Sequence, residues 1–148
     1  MKTHISHSTN ETLLFGQLLA KDLRGGETLA LTGDLGSGKT VLTKGLAIGL
    51  GIKNIINSPT FVLMKVYQNK KSIRRPADKI KYLIHVDAYR LTSSKELMDI
   101  GLGDWFNKKN AIVVIEWADR VKNILPKGAI KIKIKINHKK NLRKFTIV

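Results

Sequence analysis

The chain contains no cysteine, and this absence excludes three kinds of site. A disulfide framework, a thiolate zinc site and a cysteine nucleophile all require that residue. Only four histidines are present and they are scattered, so a His-rich metal site is not expected. The longest apolar runs, such as AIVVI at 111–115, are far shorter than the ~20 residues of a membrane-spanning helix. Since the N-terminal segment also lacks the features of a signal peptide, we expect a cytoplasmic protein with no membrane partner.

Acidic residues are scarce, with 11 Asp+Glu against 27 Lys+Arg and a formal net charge of +16. None follows Asp119, whereas basic residues accumulate there and in the stretch 68–80. Lysines neutralise phosphates, so one interpretation is a polyanion partner such as a nucleic acid. The other interpretation is a compositional bias, because most of these residues are lysines, which are usually solvated. The sequence leaves both open.

The hydrophobic patterning predicts one domain over residues 1–148, without internal repeats or linkers. A capping box at Ser8–Glu11 predicts a helix whose apolar face contains Leu14, Phe15, Leu18 and Leu19. Strands are predicted at 27–32, 61–67, 81–89, 111–116, 129–137 and 142–148, and further helices at 39–50 and 94–100. Alternating strands and helices followed by a late hairpin indicate an α/β protein with a mixed sheet.

The stretch GDLGSGKT at 33–40 matches the phosphate-binding pattern G-x-x-x-x-G-K-[ST] in full. Glycines allow the backbone to curl so that N–H groups face phosphate oxygens, and a following helix adds its positive N-terminal end. Lys39 would reach the β- and γ-phosphates, and the Thr40 hydroxyl would bind Mg²⁺. The predicted nucleotide-binding residues are Gly33, Gly36, Ser37, Gly38, Lys39, Thr40 and Val41.

Two carboxylates are candidates to complete a Mg²⁺ site, which needs an acidic residue at the end of a neighbouring strand. Asp87 ends the run YLIHVD and Glu116 ends AIVVIE. Spacing alone does not choose between them, and either could instead cap a turn or pair with Arg90 or Arg120. Thr60 follows Pro59 in a rigid turn, where its hydroxyl would contact Mg²⁺ or the γ-phosphate or act as an ordinary turn residue.

Several separate motifs together resemble the TsaE (YjeE) family of small bacterial ATPases of tRNA threonylcarbamoyladenosine modification. They are GDLGSGKT, SPTF at 58–61, HVDAYRL at 85–91, Glu96-Leu97 with Ile100-Gly101, and IEW at 115–117. The resemblance implies a P-loop NTPase-like three-layer α/β fold, with a mixed, mainly parallel sheet flanked by helices and a C-terminal β-hairpin. It further implies weak ATP hydrolysis and action with the partner proteins TsaB and TsaD. TsaD would carry out the carbamoyl transfer on the tRNA adenosine beside the anticodon, while ATP hydrolysis resets the complex.

The resemblance also implies roles for individual residues. Thr40 and Glu116 become the metal ligands, and Asp87 becomes a second acidic group that orients water or the metal's shell. Thr60 falls in a switch-like loop, and Trp117 matches a position associated with the nucleotide site or with partner-coupled activity. The implied catalytic set is Lys39, Thr60, Asp87 and Glu116, with ATP and Mg²⁺ as ligands. tRNA would be contacted through the partner proteins or through the basic surface.

Two other classes of protein share some of these features. A small-molecule kinase uses the same phosphate loop but adds an arginine-bearing lid, for which the stretch 68–80 is the only candidate among six arginines. A nucleic-acid-binding module would explain the charge, but no aromatic cluster accompanies the basic strands. Since neither a catalytic Gln nor an arginine finger is evident, slow turnover by the isolated protein is expected.

Overall fold

The computed structural model describes residues 2–59, 61–69 and 79–148. Thr60 and most of the basic stretch 68–80, both singled out from the sequence, lie outside the described residues. The strands are β1 Lys2–Ser6, β2 Thr28–Thr32, β3 Met64–Gln68, β4 Tyr82–Asp87, β5 Ala111–Glu116, β6 Ile130–Asn137 and β7 Leu142–Ile147. The α-helices are α1 Thr9–Asp22, α2 Lys39–Gly49 and α3 Lys95–Asp99, with 3₁₀ helices at Leu102–Trp105 and Ala118–Ile124. None of the helices among these residues has the length and apolar character needed to cross a bilayer.

All seven strands join one mixed sheet in the order β1-β7-β6-β2-β5-β4-β3. The four central strands β6, β2, β5 and β4 run parallel to one another. Strand β3 pairs antiparallel with β4 at one edge, and β7 and β1 add antiparallel pairs at the other. The predicted C-terminal hairpin forms between β6 and β7. Because β2 lies in the middle, the loop that follows it opens at the centre of the sheet's carboxyl edge.

Two apolar clusters cover the two faces of the sheet and produce three layers. Helices α1 and α2 pack on one face through Phe15, Leu42 and Leu46, against sheet residues that include Leu29 and Val114. On the other face, Leu97, Leu102 and Val121 pack against Ile84 and Ile115. Strand β5 is buried at every position, as an unbroken apolar run between two layers requires. The predicted fold class is confirmed.

The two long helices contact each other through glycines. A Cβ atom on Gly16 would lie 2.5 Å from the Leu42 carbonyl oxygen, and one on Gly45 would lie 2.2 Å from that of Leu13. The small residues of α1 therefore face α2, and the helix is rotated relative to the predicted apolar face. Phe15 is buried as expected, but Leu14 and Leu18 are each 55% exposed, so the prediction for those two residues is wrong.

Two strands also differ from the sequence prediction. Strand β1 was not predicted; it forms by pairing with β7 at the far end of the chain. The strand predicted at 61–67 begins only at Met64, because the amides of Val62 and Leu63 both donate to the Pro59 carbonyl in a turn. Leu63 adopts a φ of 62° there. Ser8 does cap α1, accepting from the Glu11 amide, while the Glu11 carboxylate accepts from the amide of His7.

Candidate functional site

The loop after β2 leaves the N-terminus of α2 open to an anion. Gly33 has a φ of 150°, and a Cβ there would lie 2.4 Å from the Ile134 carbonyl oxygen. Gly38 precedes the helix with a φ of 103° and provides no side-chain cap. The first amides of α2, from Lys39 to Val41, thus have no capping side chain, and the helix dipole adds positive potential. The buried Ser37 hydroxyl also has no hydrogen-bond partner among the described residues.

Lys39 lies across the opening of this loop. Its Nζ donates to the carbonyl oxygens of Gly33 and Asp34 at 2.7 and 2.8 Å and lies 3.8 Å from the centre of the Trp117 ring. Burial lowers the pKa of Lys39, and the opposing charges of Glu116, Asp87 and other carboxylates favour its charged form. The loop therefore holds a cation against backbone carbonyls, in a position to exchange them for phosphate oxygens.

Glu116 lies at the end of β5, the strand beside β2, and contacts the first turn of α2. Its Oε2 accepts a hydrogen bond of 3.0 Å from the Thr40 hydroxyl. Its Oε1 lies 2.7 Å from His85 Nε2, and an ionised carboxylate can only accept, so Nε2 carries the hydrogen. His85 is fully buried, and its Nδ1 has no partner among the described residues. The structure thus brings the two predicted metal ligands, Thr40 and Glu116, into direct contact. His85 fixes the orientation of the Glu116 carboxylate through its other oxygen.

Asp87 lies one strand further from the loop, at the end of β4, opposite Glu116 in the sheet register. Its Oδ2 accepts from the Ser58 hydroxyl at 2.7 Å, and its Oδ1 accepts from the Tyr89 amide at 2.9 Å. Asp87 therefore makes a turn-capping contact with the Tyr89 amide, as one of the alternatives considered from the sequence expected. The guanidinium of Arg90 lies 4.5 Å from the Phe61 ring centre.

A cleft of about 360 Å³ unites most of the predicted site. Seven residues that the sequence predicted for the site line this cleft: Gly36, Gly38, Lys39, Thr40, Val41, Asp87 and Glu116. Ser58, Tyr89 and Trp117 line it as well. Gly33 and Ser37 belong to the loop but do not line the cleft, and Thr60 lies outside the described residues. No group of three or more His, Asp or Glu gathers as a protein-only metal centre in the described ranges, so a metal here would need other oxygen ligands.

Sequence reasoning gave no role to two side chains that support the carboxylates, and overlooked a third at the loop. His85 holds Glu116 and Ser58 holds Asp87. The alternation along β4 offered a signal for His85, because residues two apart on a strand share a face with Asp87. Arg143 of β7 lies beside Gly38, and nothing in the local sequence indicated that contact.

The mixed sheet, with a glycine loop joining its central strand to an uncapped helix, defines a P-loop NTPase-like α/β protein. The chain belongs to the TsaE family, since residues 6–145 match the family model described as "Threonylcarbamoyl adenosine biosynthesis protein TsaE". The resemblance seen in the motifs is thereby confirmed.

Individual relatives agree with this assignment. The chain is 39% identical over 125 residues to the tRNA threonylcarbamoyladenosine biosynthesis protein TsaE of Bacillus subtilis, covering 84% of this chain and 72% of that protein. It is 36% identical over 132 residues to the protein of the same name from Treponema pallidum, covering 89% and 90%. The crystal structure of B. subtilis YdiB superposes with a TM-score of 0.76 at 31% identity, covering 99% of this chain and 83% of that one.

Proposed function

We propose that the protein is a Mg²⁺-dependent ATPase that acts with TsaB and TsaD in threonylcarbamoyl modification of the tRNA adenosine beside the anticodon. The observation that carries the proposal is the 3.0 Å contact between the Thr40 hydroxyl and Glu116, formed beside Lys39 at an uncapped helix terminus. The names of the relatives supply the pathway. The residues of the cleft support the proposed chemistry.

ATP would bind with its phosphates against the amides of the loop from Gly36 to Val41. Lys39 would release its two carbonyl acceptors, which lie at the loop itself, and donate instead to β- and γ-phosphate oxygens. Gly33 allows the loop to pass close to β6, where a side chain would collide with the Ile134 carbonyl oxygen, and Gly38 adopts the left-handed φ of 103° before α2. Preorganised donors of this kind stabilise charge that develops on the phosphoryl oxygens.

Thr40 and Glu116 would hold Mg²⁺, which when bound polarises phosphoryl oxygens as a Lewis acid. His85 keeps the Glu116 carboxylate turned toward Thr40 through its 2.7 Å contact. Asp87, held by Ser58, is placed to orient the attacking water or the metal's water shell. Thr60 keeps its proposed role as a switch residue that senses the γ-phosphate.

Slow turnover by the isolated protein follows from what the cleft lacks. Among the described residues that line it there is neither Gln nor Arg, the residue types that orient water and neutralise charge in fast phosphate-hydrolysing enzymes. A partner complex would then supply or order the missing groups. We propose that the dependence of hydrolysis on the partners couples ATP hydrolysis to turnover of the TsaB–TsaD pair.

The proposal is tested by measuring Mg²⁺-dependent phosphate release from ATP, with the protein alone and with purified TsaB and TsaD. We expect a rate far below about 10 per second, a typical enzyme value, and a clear rise when both partners are added. A preparation carrying Lys39→Met gives the background. A full enzyme rate without partners, or no response to them, contradicts the proposal, and transfer of phosphate to a small acceptor would indicate a kinase.

A direct contact with tRNA is a second candidate role, favoured by the surface of β6 and β7. The basic face consists of the exposed Lys131, Lys133, Lys135 and Lys144. Lys135 and Lys144 are direct cross-strand partners, an arrangement that like-charge repulsion destabilises. In the described part of the chain, the apolar cluster on this side of the sheet takes no residue from β6 or β7. A polyanion would relieve the repulsion on this uncovered face.

Replacing all four lysines of the basic face with Gln should weaken tRNA binding and flatten its dependence on salt. The slope of log K against log[salt] is about 0.9 per phosphate neutralised on a duplex, so losing up to four contacts lowers it by as much as about 3.6. The control removes the same charge from four exposed lysines elsewhere, Lys21, Lys53, Lys81 and Lys95. Filter binding at several salt concentrations measures the affinity of both variants for tRNA. If the two variants bind tRNA equally well, the basic face has no role in binding.

A further inference from the structure

Asp87 and Glu116 are two buried carboxylates on neighbouring strands. They lie opposite each other in the register of β4 and β5, and they are 4% and 2% exposed. Like charges that lie directly opposite each other in a sheet repel, and a buried charge is tolerated only when donors satisfy its oxygens. Glu116 is held by Thr40 and His85. Asp87 needs donors of its own to keep its orientation against this repulsion.

Ser58 donates to Asp87 from a different segment of the chain. Its hydroxyl lies 2.7 Å from Asp87 Oδ2, while Oδ1 accepts from the Tyr89 amide, two residues further along. The Tyr89 amide belongs to the same turn as Asp87, so it follows the carboxylate if the end of β4 moves. Ser58 does not belong to that turn. The position of Ser58 therefore affects the direction in which Oδ2 points.

The segment before Ser58 is fixed by contacts with the core. Ile56 is buried in the apolar cluster beneath α1 and α2. The carbonyl oxygen of Asn57 accepts a hydrogen bond of 3.4 Å from the hydroxyl of Tyr67 on β3, and Pro59 restricts the backbone that follows. Ser58 itself is exposed, but its hydroxyl is presented to the end of β4 from a constrained backbone.

The segment after Thr60 returns to the same aspartate. The Asp87 amide donates to the Leu63 carbonyl oxygen at 3.0 Å, and Leu63 has a left-handed φ of 62°, which residues with a Cβ rarely adopt. Strained backbone of this kind persists where surrounding contacts fix it, and it is frequent in switch regions. Asp87 is therefore bonded to the chain on both sides of Thr60, by its side chain before it and by its amide after it.

We infer that Ser58 is a positioning residue, whose hydroxyl holds the Asp87 carboxylate in the orientation that hydrolysis requires and makes that orientation depend on the chain around Thr60. This inference rests on the proposed function, in which Asp87 orients water or the metal's water shell and Thr60 senses the γ-phosphate. Ser58 acts on the reaction through Asp87 and not by touching ATP. A change of conformation around Thr60 would then reach the reacting water through this hydrogen bond.

The inference is tested by measuring kcat and KM for ATP in Mg²⁺-dependent phosphate release, with TsaB and TsaD present. Ser58→Ala should lower kcat about tenfold, the loss expected for one hydrogen bond to a charged group, and leave KM and the melting temperature unchanged. Ser58→Thr keeps the hydroxyl and should recover most of the rate, because the exposed site leaves room for a methyl group. Ser94→Ala removes an exposed hydroxyl that accepts from Asn123 and should behave as the unchanged protein does.

A double variant separates action through Asp87 from any other effect of Ser58. Asp87→Ala removes the carboxylate that Ser58 is inferred to position. If Ser58 acts only through that carboxylate, adding Ser58→Ala to Asp87→Ala should lower kcat no further, whereas independent effects would multiply. A further loss of about tenfold in the double variant overturns the inference.

The outcomes separate this inference from the function on which it rests. If the unchanged protein does not hydrolyse ATP, the proposed ATPase fails and the inference fails with it. If it hydrolyses ATP and Ser58→Ala has the same kcat, only the inference fails. A raised KM with unchanged kcat would indicate that Ser58 contacts ATP directly, and a loss that Thr does not recover would indicate a requirement for side-chain size. Either result overturns the positioning role.

Discussion

Lys39→Met is expected to abolish measurable ATP hydrolysis and to weaken ATP binding by at least about 30-fold. Removing one partner of a buried, hydrogen-bonded charge pair costs about 2 kcal/mol or more, which corresponds to that factor. Lys39 is 4% exposed, so water cannot replace its contact with the phosphates. Met keeps the apolar stem that packs in the loop and removes only the ammonium group.

The measurement combines calorimetric ATP titration with a phosphate-release assay. Lys44→Met, on the same helix but outside the cleft, is the matched control and should behave as the unchanged protein. Thermal melting of each variant separates loss of binding from loss of folding. Unchanged ATP affinity in a folded Lys39→Met protein would contradict the assignment of the phosphate loop.

The elements predicted correctly from the sequence are those whose signals are local. The loop after β2 contains closely spaced glycines, and Gly33, Gly36 and Gly38 adopt the positive φ values that such a tight loop requires; its binding of phosphate stays a prediction. The apolar run 111–116 and the alternation at 130–137 specify their own environments, one buried on both faces and one exposed on alternate residues. The hairpin follows because the two strands are separated by four polar turn residues.

The features that sequence reasoning missed depend on contacts between distant segments. Strand β1 exists because β7 offers it an edge, and Arg143 reaches Gly38 only once that edge has formed. The rotation of α1 is set by its glycine contact with α2, which hydrophobic spacing alone does not reveal. Leu14 and Leu18 satisfied the helical period but remained exposed.

The order of the strands is the information that distinguishes the two carboxylates. Both end an apolar strand, so the sequence alone left the choice open. In the sheet, β5 lies beside β2 and β4 lies one strand further away. Glu116 consequently contacts Thr40, while Asp87 contacts Ser58 and the Tyr89 amide. This difference favours Glu116 as the metal ligand and Asp87 as a group that orients the attacking water or the metal's water shell.

Glu116→Gln should accordingly reduce Mg²⁺-dependent hydrolysis about 100-fold or more, while changing ATP affinity without Mg²⁺ less than about threefold. A carboxylate ligand helps hold a metal that contributes several kcal/mol to charge stabilisation, and each 1.36 kcal/mol is a tenfold change in rate. Gln keeps the shape and can still accept from Thr40, and its amide can donate to His85 Nε2 once that ring carries its hydrogen on Nδ1, which has no other partner among the described residues. The fold and the loop should therefore be retained. Removing a negative charge near the phosphates does not by itself weaken metal-free binding.

Asp87→Asn is the matched comparison, because it makes the same chemical change one strand further from the loop. Its effect on hydrolysis should be smaller, and the Mg²⁺ concentration that gives half-maximal activity should stay close to that of the unchanged protein. For Glu116→Gln that concentration should rise several-fold. Full activity of Glu116→Gln together with loss of activity in Asp87→Asn would reverse the two roles, and the contact between Thr40 and Glu116 would then be a structural hydrogen bond only.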